Sequence, residues 1–384
     1  MSARPIYLDY NATTPVAPEV LDAMLPFLRN EYGNPSSGHA YGKRAHEAVE
    51  RARGEVAALI GAFAEEIVFT GSGTEATNLA LRGAVLARSD RAHVVTSSFE
   101  HPATAETCAW LERHGVRVSR APVERDGRVA PRNLAPLLDD QTLLVTVMHA
   151  NNELGTVQPI AEISAQAREK GALMHTDAAQ TLGKIPVDVN ALGVDLLTIA
   201  GHKLYAPKGV GALYVRRGTS LEPVITGAGQ ERGLRPGTEN VGGIVGLGKA
   251  CEIAERSMVT ERMRLKALRD QLLEGLRARI PGIVLHGHAS DRLPNTLFVS
   301  FPGVAGGDLL EAVPEIAAST GSACHSGSGS PCASLLAIGV PAEEAIGPVR
   351  LSLGRGTTVQ EVEKAADLLI AAWRSLAALH QSRV

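Results

Sequence analysis

EIVFTGSGTEATN, residues Glu66–Asn78, opens on a short apolar run, breaks at Gly71 and Gly73, and resumes as a helical pattern over Thr74–Arg88. Bare glycines let a backbone approach a ligand closely. The helix that follows offers unpaired N–H groups and a partial positive charge. Thr74 can cap that helix and turn its hydroxyl toward an anion, which makes the turn a phosphate seat. Its spacing matches neither the P-loop nor the GxGxxG fingerprint, so an NTPase or Rossmann dinucleotide site is disfavoured. Taken alone, a tight strand-to-helix turn capped by Thr74 is the plainer account.

The same alternation of strand and helix runs outward from this turn, over about Ala17 to Gly218. HVVTSS (His93–Ser98) precedes a helical stretch, Pro102–His114, whose proline suits a first turn. VRVSRAPV, TLLVTVMHA, GALMHTDAA, DLLTIAG and GALYVRR follow as apolar strands with few polar interruptions. Strands buried on both faces and separated by helices predict an α/β layer structure around a mainly parallel sheet. Val241 to Ile280 reads as two long helices, the second with Met263, Leu265, Leu268, Leu272, Leu273 and Leu276 near helical spacing. Beyond Pro281 the pattern changes to strands TLFVSF, IAASTGS and VRLSL with helices at Gly307–Ala312, Ala333–Ile338 and Val359–His380. This predicts a smaller α+β domain joined by the long helical region.

Composition narrows the function classes. The chain has 384 residues, 45% hydrophobic and 21% charged, with a formal charge of −3. That length suggests two domains, and the charge balance gives no electrostatic footprint for nucleic acid or a membrane. No apolar run approaches a membrane span, and MSARPIYLDYNATTP lacks the h-region of a secretory signal. Four cysteines are too sparse for a disulfide scaffold; reduced thiols in the cytoplasm are the simpler expectation.

Three residues lie at strand ends of the one expected sheet. Asp177, in HTDAAQ, is costly at the end of a buried strand unless it meets a cation or several donors, although an N-cap aspartate explains it equally well. Lys203, in AGHKLYAPKGVG, sits among small and apolar neighbours, where burial lowers an amine's pKa and makes it nucleophilic; alone it reads as surface charge. With Thr74, the set matches the needs of pyridoxal phosphate (PLP): a phosphate seat, an aldehyde-capturing lysine and a carboxylate for the pyridine nitrogen. His101, in FEHPA, is a further strand-end residue able to stack on a ring or move protons.

The smaller unit holds STGSACHSGSGSPCAS (Ser319–Ser334). Cys324, beside His325 in this glycine- and serine-rich stretch, reads as a thiolate nucleophile on a loop. Zinc is disfavoured, because Cys324 and Cys332 lack a second Cys/His pair at ligand spacing; a regulatory disulfide between them stays open. Arg350 or Arg355, in VRLSLGRGTT, offers a fork for an amino-acid carboxylate.

These motifs, in order from LDYNATTP through GNPSSGH, FTGSGTEATN, EHPA, HANNELGTVQPI, HTDAAQ, GHKLYAPKGVG, GQERGLRPGTEN and GSACHSG to RLSLGRGTT, resemble the NifS/IscS-like cysteine desulfurases and selenocysteine lyases. That group belongs to the class-V aminotransferases of fold-type I. The resemblance implies a large PLP-binding domain with a mostly parallel seven-stranded sheet over residues 16–260. Residues 1–15 and 261–384 would form the small domain carrying Cys324. It implies that Lys203 bonds the cofactor aldehyde and shuttles the substrate α-proton, and that Asp177 pairs with the ring nitrogen. Gln180 would bind the ring hydroxyl and His101 would stack on the ring. Gly73, Thr74 and His202 would hold the phosphate together with Thr238 of a neighbouring subunit, making a homodimer part of the site. Asn11, Asn152 and Arg355 would hold the substrate, with Arg355 on its carboxylate. Cys324 would take sulfur from L-cysteine as a persulfide, or act on the selenium of L-selenocysteine, with alanine leaving in either case. A sulfur- or selenium-accepting protein is an expected partner. The histidine after Cys324 and the ensuing Ser-Pro stretch resemble the lyase form, so the sequence leans to selenocysteine, with cysteine desulfuration and amino transfer as alternatives. Ala200 stands where many desulfurases carry a phosphate-binding serine.

Overall fold

The computed structural model describes residues 4–88, 92–321 and 331–381. Its strands, in chain order, are β1 (Ile6–Tyr7), β2 (Ile67–Thr70), β3 (His93–Ser97), β4 (Arg117–Ala121), β5 (Thr142–Thr146) and β6 (Leu173–Asp177). They continue with β7 (Leu196–Ala200), β8 (Gly211–Val215), β9 (Val284–Leu285), β10 (Thr296–Ser300), β11 (Ile316–Ala317) and β12 (Pro348–Ser352).

Seven strands form the central sheet in the order β2-β8-β7-β6-β5-β3-β4. β8 runs antiparallel to both neighbours and every other pairing is parallel. Strands β2, β3, β5 and β7 are buried along their whole length, as apolar runs covered on both faces must be. Since β2 and β7 each oppose β8, the C-terminal ends of β2, β3, β5, β6 and β7 share one edge. In such sheets that edge is where ligands sit.

The smaller sheet is antiparallel, in the order β12-β10-β9, and β1 pairs in parallel with β11. Bridges Asp9–Ser352 and Ser319–Arg350 attach both to β12, so the start of the chain is carried to the edge of the large sheet.

Two differences from the sequence expectations have local causes. Val241–Arg277 is one helix of 37 residues rather than two. The polar residues in its middle do not break it, because Ser257 and Thr260 turn their hydroxyls back onto the carbonyls of Ile253 and Ser257. Intrahelical ion pairs such as Arg256–Glu252 and Arg264–Glu261 cover its exposed face. Its first half (Ile244, Leu247, Ala250, Cys251, Ala254) packs in the core beneath the large sheet. Leu265, Leu268, Leu272, Leu273 and Leu276 pack in a second core with Ile6, Leu8 and β10–β12. Met263, read as part of that stripe, is 61% exposed. The strand expected over IAASTGS contracts to Ile316–Ala317.

Candidate active site

The glycine turn after β2 is built by contacts from several directions. Ser72, not Thr74, is the N-cap of the helix Gly73–Ala87, its Oγ accepting from the Glu75 N–H at 3.1 Å. Thr74, one position inside the helix, keeps its hydroxyl out of the cap. Glu75 braces the turn by accepting from the Gly71 N–H at 2.8 Å and from Arg235 Nε at 2.8 Å. Gly211 at the start of β8 is required, since a Cβ there would lie 2.6 Å from the Ser72 carbonyl carbon and 2.9 Å from the Gly73 nitrogen. Gly73 itself packs so closely that its Cβ would stand 3.0 Å from Ala200 Cβ.

Asp177 ends β6 and is 8% exposed, with Oδ1 accepting from the Ala179 N–H at 2.8 Å. His101 caps the helix Pro102–Arg113, its Nδ1 accepting from the Ala103 N–H at 3.1 Å. A neutral His101 therefore carries its proton on Nε2, as assigned from this bond. Burial lowers its pKa, opposed by Asp177 and Glu153 and reinforced by Lys203.

Lys203 follows β7 in a short turn, Gly201–Lys203. Its Nζ donates to the backbone carbonyls of Asn11 at 2.5 Å and Ala12 at 2.7 Å. Burial, helped by Arg350 and opposed by Asp177 and Asp9, brings the amine down to about 8, a nucleophilic amine near neutral pH. The N-terminal segment is closed onto this turn: Thr14 Oγ1 donates to the His202 carbonyl and accepts from the Tyr205 N–H, both at 3.0 Å, and His202 Nδ1 lies 3.1 Å from Thr13 Oγ1. Tyr205 is held at φ +66°, costly for a tyrosine. Its hydroxyl accepts from the Arg355 N–H at 2.7 Å, and its ring lies 4.5 Å from that guanidinium.

These groups converge on one cavity of about 270 Å³, whose lining includes Asn11, Thr74, His101, Asp177, Lys203 and Arg350. Gly73, Asn152, Gln180, Ala200 and His202 line it too. Two expectations change. Arg355 lines a separate small cavity behind Lys203, whereas Arg350 reaches the main one. The Arg350 Nε is buried with no hydrogen-bond partner among the described residues. Asn11 does not present its amide: Nδ2 donates to Thr296 Oγ1 and the Asn152 carbonyl, while Oδ1 accepts from Lys184 and Asn295. It lends its backbone carbonyl to Lys203 instead. Thr238 is exposed and does not line this cavity. Cys324 and His325 lie outside the described residues. Cys332 donates to Glu153 at 3.5 Å, and burial pushes its thiol up to about 12. Lys184, which the sequence reading missed, looked like any surface lysine in a turn.

PLP fits this donor set. A helix N-terminus with tight glycines can take a phosphate, Asp177 a pyridinium proton and Lys203 an aldehyde, and the Arg350 guanidinium lines the same cavity.

A family model described as Aminotransferase class-V matches residues 6–365. The chain is 47% identical over 369 residues to cysteine desulfurase IscS of Dictyoglomus turgidum, covering 95% of this chain and 94% of that protein. It is 50% identical over 368 residues to cysteine desulfurase IscS of Anaeromyxobacter dehalogenans, covering 95% and 91%. Among solved structures it is similar to a NifS-like protein with a TM-score of 0.89 at 37% identity, covering 97% of this chain and 99% of that one. It is also similar to SspA in complex with cysteine, with a TM-score of 0.80 at 36% identity, covering 90% and 98%.

Proposed function

The chain belongs to the class-V aminotransferase family of PLP-dependent enzymes, and from that premise we propose that it is a cysteine desulfurase, converting L-cysteine to L-alanine and protein-bound sulfur. The observation that carries this reading is the meeting, in one cavity, of a lysine amine brought down to about 8 with Asp177, the helix N-terminus at Gly73–Thr74 and Arg350. The two relatives named cysteine desulfurase IscS support L-cysteine over the L-selenocysteine toward which the loop sequence leans.

When bound, PLP supplies the electron sink that loosens the bonds to the substrate α-carbon. Gly73 and Thr74 would hold its phosphate with His202, and Asp177 would keep a proton on its ring nitrogen. His101, which lines the cavity with Nδ1 taken by the Ala103 N–H, would stack on the ring with its proton on Nε2. Gln180 donates to the ring oxygen. Lys203, as a neutral amine, would be the group that holds the cofactor by its aldehyde, and its Nζ would accept and return the substrate α-proton. Arg350, rather than Arg355, clamps the substrate carboxylate, with Asn152 beside it. Cys324 forms an S–S bond to the substrate sulfur as the carbon–sulfur bond breaks. The carbon fragment takes up a proton and leaves as alanine, and an acceptor protein then receives the sulfur.

Thr238 serves the site of a second copy, so the working unit is a homodimer. Its support is that Thr238 is exposed and does not line its own chain's cavity. No described helix is long and apolar enough to cross a membrane, and a cytoplasmic enzyme fits the sparse cysteines.

The test compares kcat/KM for L-cysteine and L-selenocysteine, with alanine and Cys324 persulfide as readouts. Equal or greater efficiency on L-cysteine, lost in Cys324→Ala, is expected. Activity confined to L-selenocysteine would restore the lyase reading. Amino transfer to a keto acid that survives Cys324→Ala would make the protein an aminotransferase.

A further inference from the structure

One lysine that the mechanism above does not use lies at the rear of the cavity. Lys184 Nζ donates to Gln180 Oε1 at 3.0 Å and to Asn11 Oδ1 at 3.3 Å. Gln180 Nε2 in turn donates to the backbone carbonyl of Asn11 at 3.0 Å, the oxygen that also receives the Lys203 amine. A backbone carbonyl can only accept, so the Gln180 nitrogen must face it, and Oε1 must then face Lys184. Asn11 cannot exchange its own amide to compensate, because Thr296, Asn152 and Asn295 fix both ends of it. Oε1 of Gln180 is thus committed to Lys184 and one N–H to Asn11. The second N–H is left for the cavity that Gln180 lines.

We propose that Lys184 is a positioning residue that holds the Gln180 amide as a fixed hydrogen-bond donor to the ring oxygen of PLP. The proposal rests on the cofactor placement given above. Donation into Oε1 polarises the amide and strengthens its remaining N–H as a donor, as neighbouring hydrogen bonds in a low-dielectric interior do. A ring oxygen that receives such a bond is less basic, and so is the cofactor as a whole. The titratable and charged groups facing Lys184 are Lys203 and Arg350 and, across the small cavity behind Lys203, Tyr10, Tyr205, Glu261 and Arg355. Burial first, then Lys203 and Arg350, brings the Lys184 amine down to about 7. Both its partners are oxygens, so it donates with or without its third proton, and the arrangement does not depend on its charge.

The test is a pH titration of the visible absorbance of the holoenzyme, for wild type, Lys184→Met, Gln180→Leu and the double variant. Losing the donor is expected to raise the titration midpoint in Lys184→Met by roughly half a pH unit or more and to weaken PLP binding about 3- to 10-fold. Lys184→Gln, which keeps an N–H donor, should recover most of both. In the Gln180→Leu background, Lys184→Met should produce no further shift, because its effect passes through that amide. A side chain that merely fills space would move neither the midpoint nor this coupling. An unmoved midpoint in Lys184→Met, or a full additional shift in the double variant, overturns the proposal. Should the methionine variant not fold, Lys184→Ala in the same two backgrounds carries the same expectations. A wild-type protein that takes up no PLP would overturn the proposed function along with this inference. A yellow wild type with an unmoved Lys184→Met midpoint sinks only the inference.

Discussion

Arg350 Nη2 donates to Asp9 Oδ1 at 2.8 Å, joining β12 to a residue 341 positions earlier in the chain. Nη1 of the same guanidinium donates to the Asn152 carbonyl at 3.1 Å, while the buried Nε has no partner among the described residues. With its side chain only 3% exposed, Arg350 is oriented before substrate arrives, and little side-chain entropy remains to be lost on binding. Arg355, by contrast, is spent on the Tyr205 ring.

Arg350→Ala is therefore expected to raise KM for L-cysteine about 10- to 100-fold, the scale of one lost charge-assisted hydrogen bond. Arg355→Ala should change it by no more than about threefold. Steady-state kinetics on both variants decides, and the reverse order would return the carboxylate to Arg355.

Asp177→Asn keeps the acceptor for the Ala179 N–H and removes the charge. The fold should survive with a melting temperature within a few degrees of wild type. Turnover should fall at least about 100-fold, as when a preorganised charge is lost. Thermal unfolding of the apoprotein alongside kcat separates the two effects.

Lys203 governs how fast the apoprotein captures PLP. Its amine is brought down to about 8, and only the neutral form attacks the aldehyde. The capture rate should climb about tenfold per pH unit below that value and level off above about 9. Rapid-mixing absorbance across pH 6.5–10 checks this. A rate still rising at pH 10 would mean an ordinary, solvated lysine.

The buried pair Arg53–Glu231 makes the sharpest stability prediction. Glu231 sits at φ +47° and accepts from Arg53 Nη1 at 2.7 Å, from Arg53 Nη2 at 2.8 Å and from the Phe69 N–H at 2.7 Å. Glu231→Ala leaves the buried guanidinium with only the more exposed Glu50 carboxylate at 3.0 Å and the Ile67 carbonyl at 2.9 Å, costing about 3 kcal/mol. Denaturant unfolding should show a loss of that size, and Arg53→Met added to Glu231→Ala should restore part of it.

Cys332→Ala should leave desulfuration within about threefold of wild type. A thiol pushed up to about 12 and donating to Glu153 holds almost no thiolate at neutral pH. Persulfide mapping on the wild type offers a second check: sulfur found on Cys332 would contradict it.

The glycine turn after β2, Asp177 at the end of β6 and Lys203 after β7 were legible because each depends on a few consecutive residues. Apolar β-branched runs make strands, and glycine ends them. A polar residue at such an end is displayed at the sheet edge whatever the rest of the chain does. The choice of Ser72 over Thr74 as the cap lay within that same window, yet it turned on backbone angles that two neighbouring hydroxyl residues do not distinguish. The continuity of Val241–Arg277 was lost to sequence reading for a similar reason, since hydroxyls that bond back within the helix look like breakers in a string of letters.

By itself, then, the chain's order of residues determined the α/β sheet, the edge that carries the chemistry, and the lysine, aspartate and phosphate turn at that edge. Only tertiary structure decided that Arg350 faces the cavity while Arg355 stacks on Tyr205, that Asn11 offers a carbonyl rather than its amide, and that Lys184 stands behind Gln180. Those outcomes come from contacts spanning from four to more than three hundred positions, set by how β12 registers on β10 and how the N-terminal segment closes over the turn at Lys203. Such register is fixed by the packing of whole faces, and no short stretch of sequence encodes it.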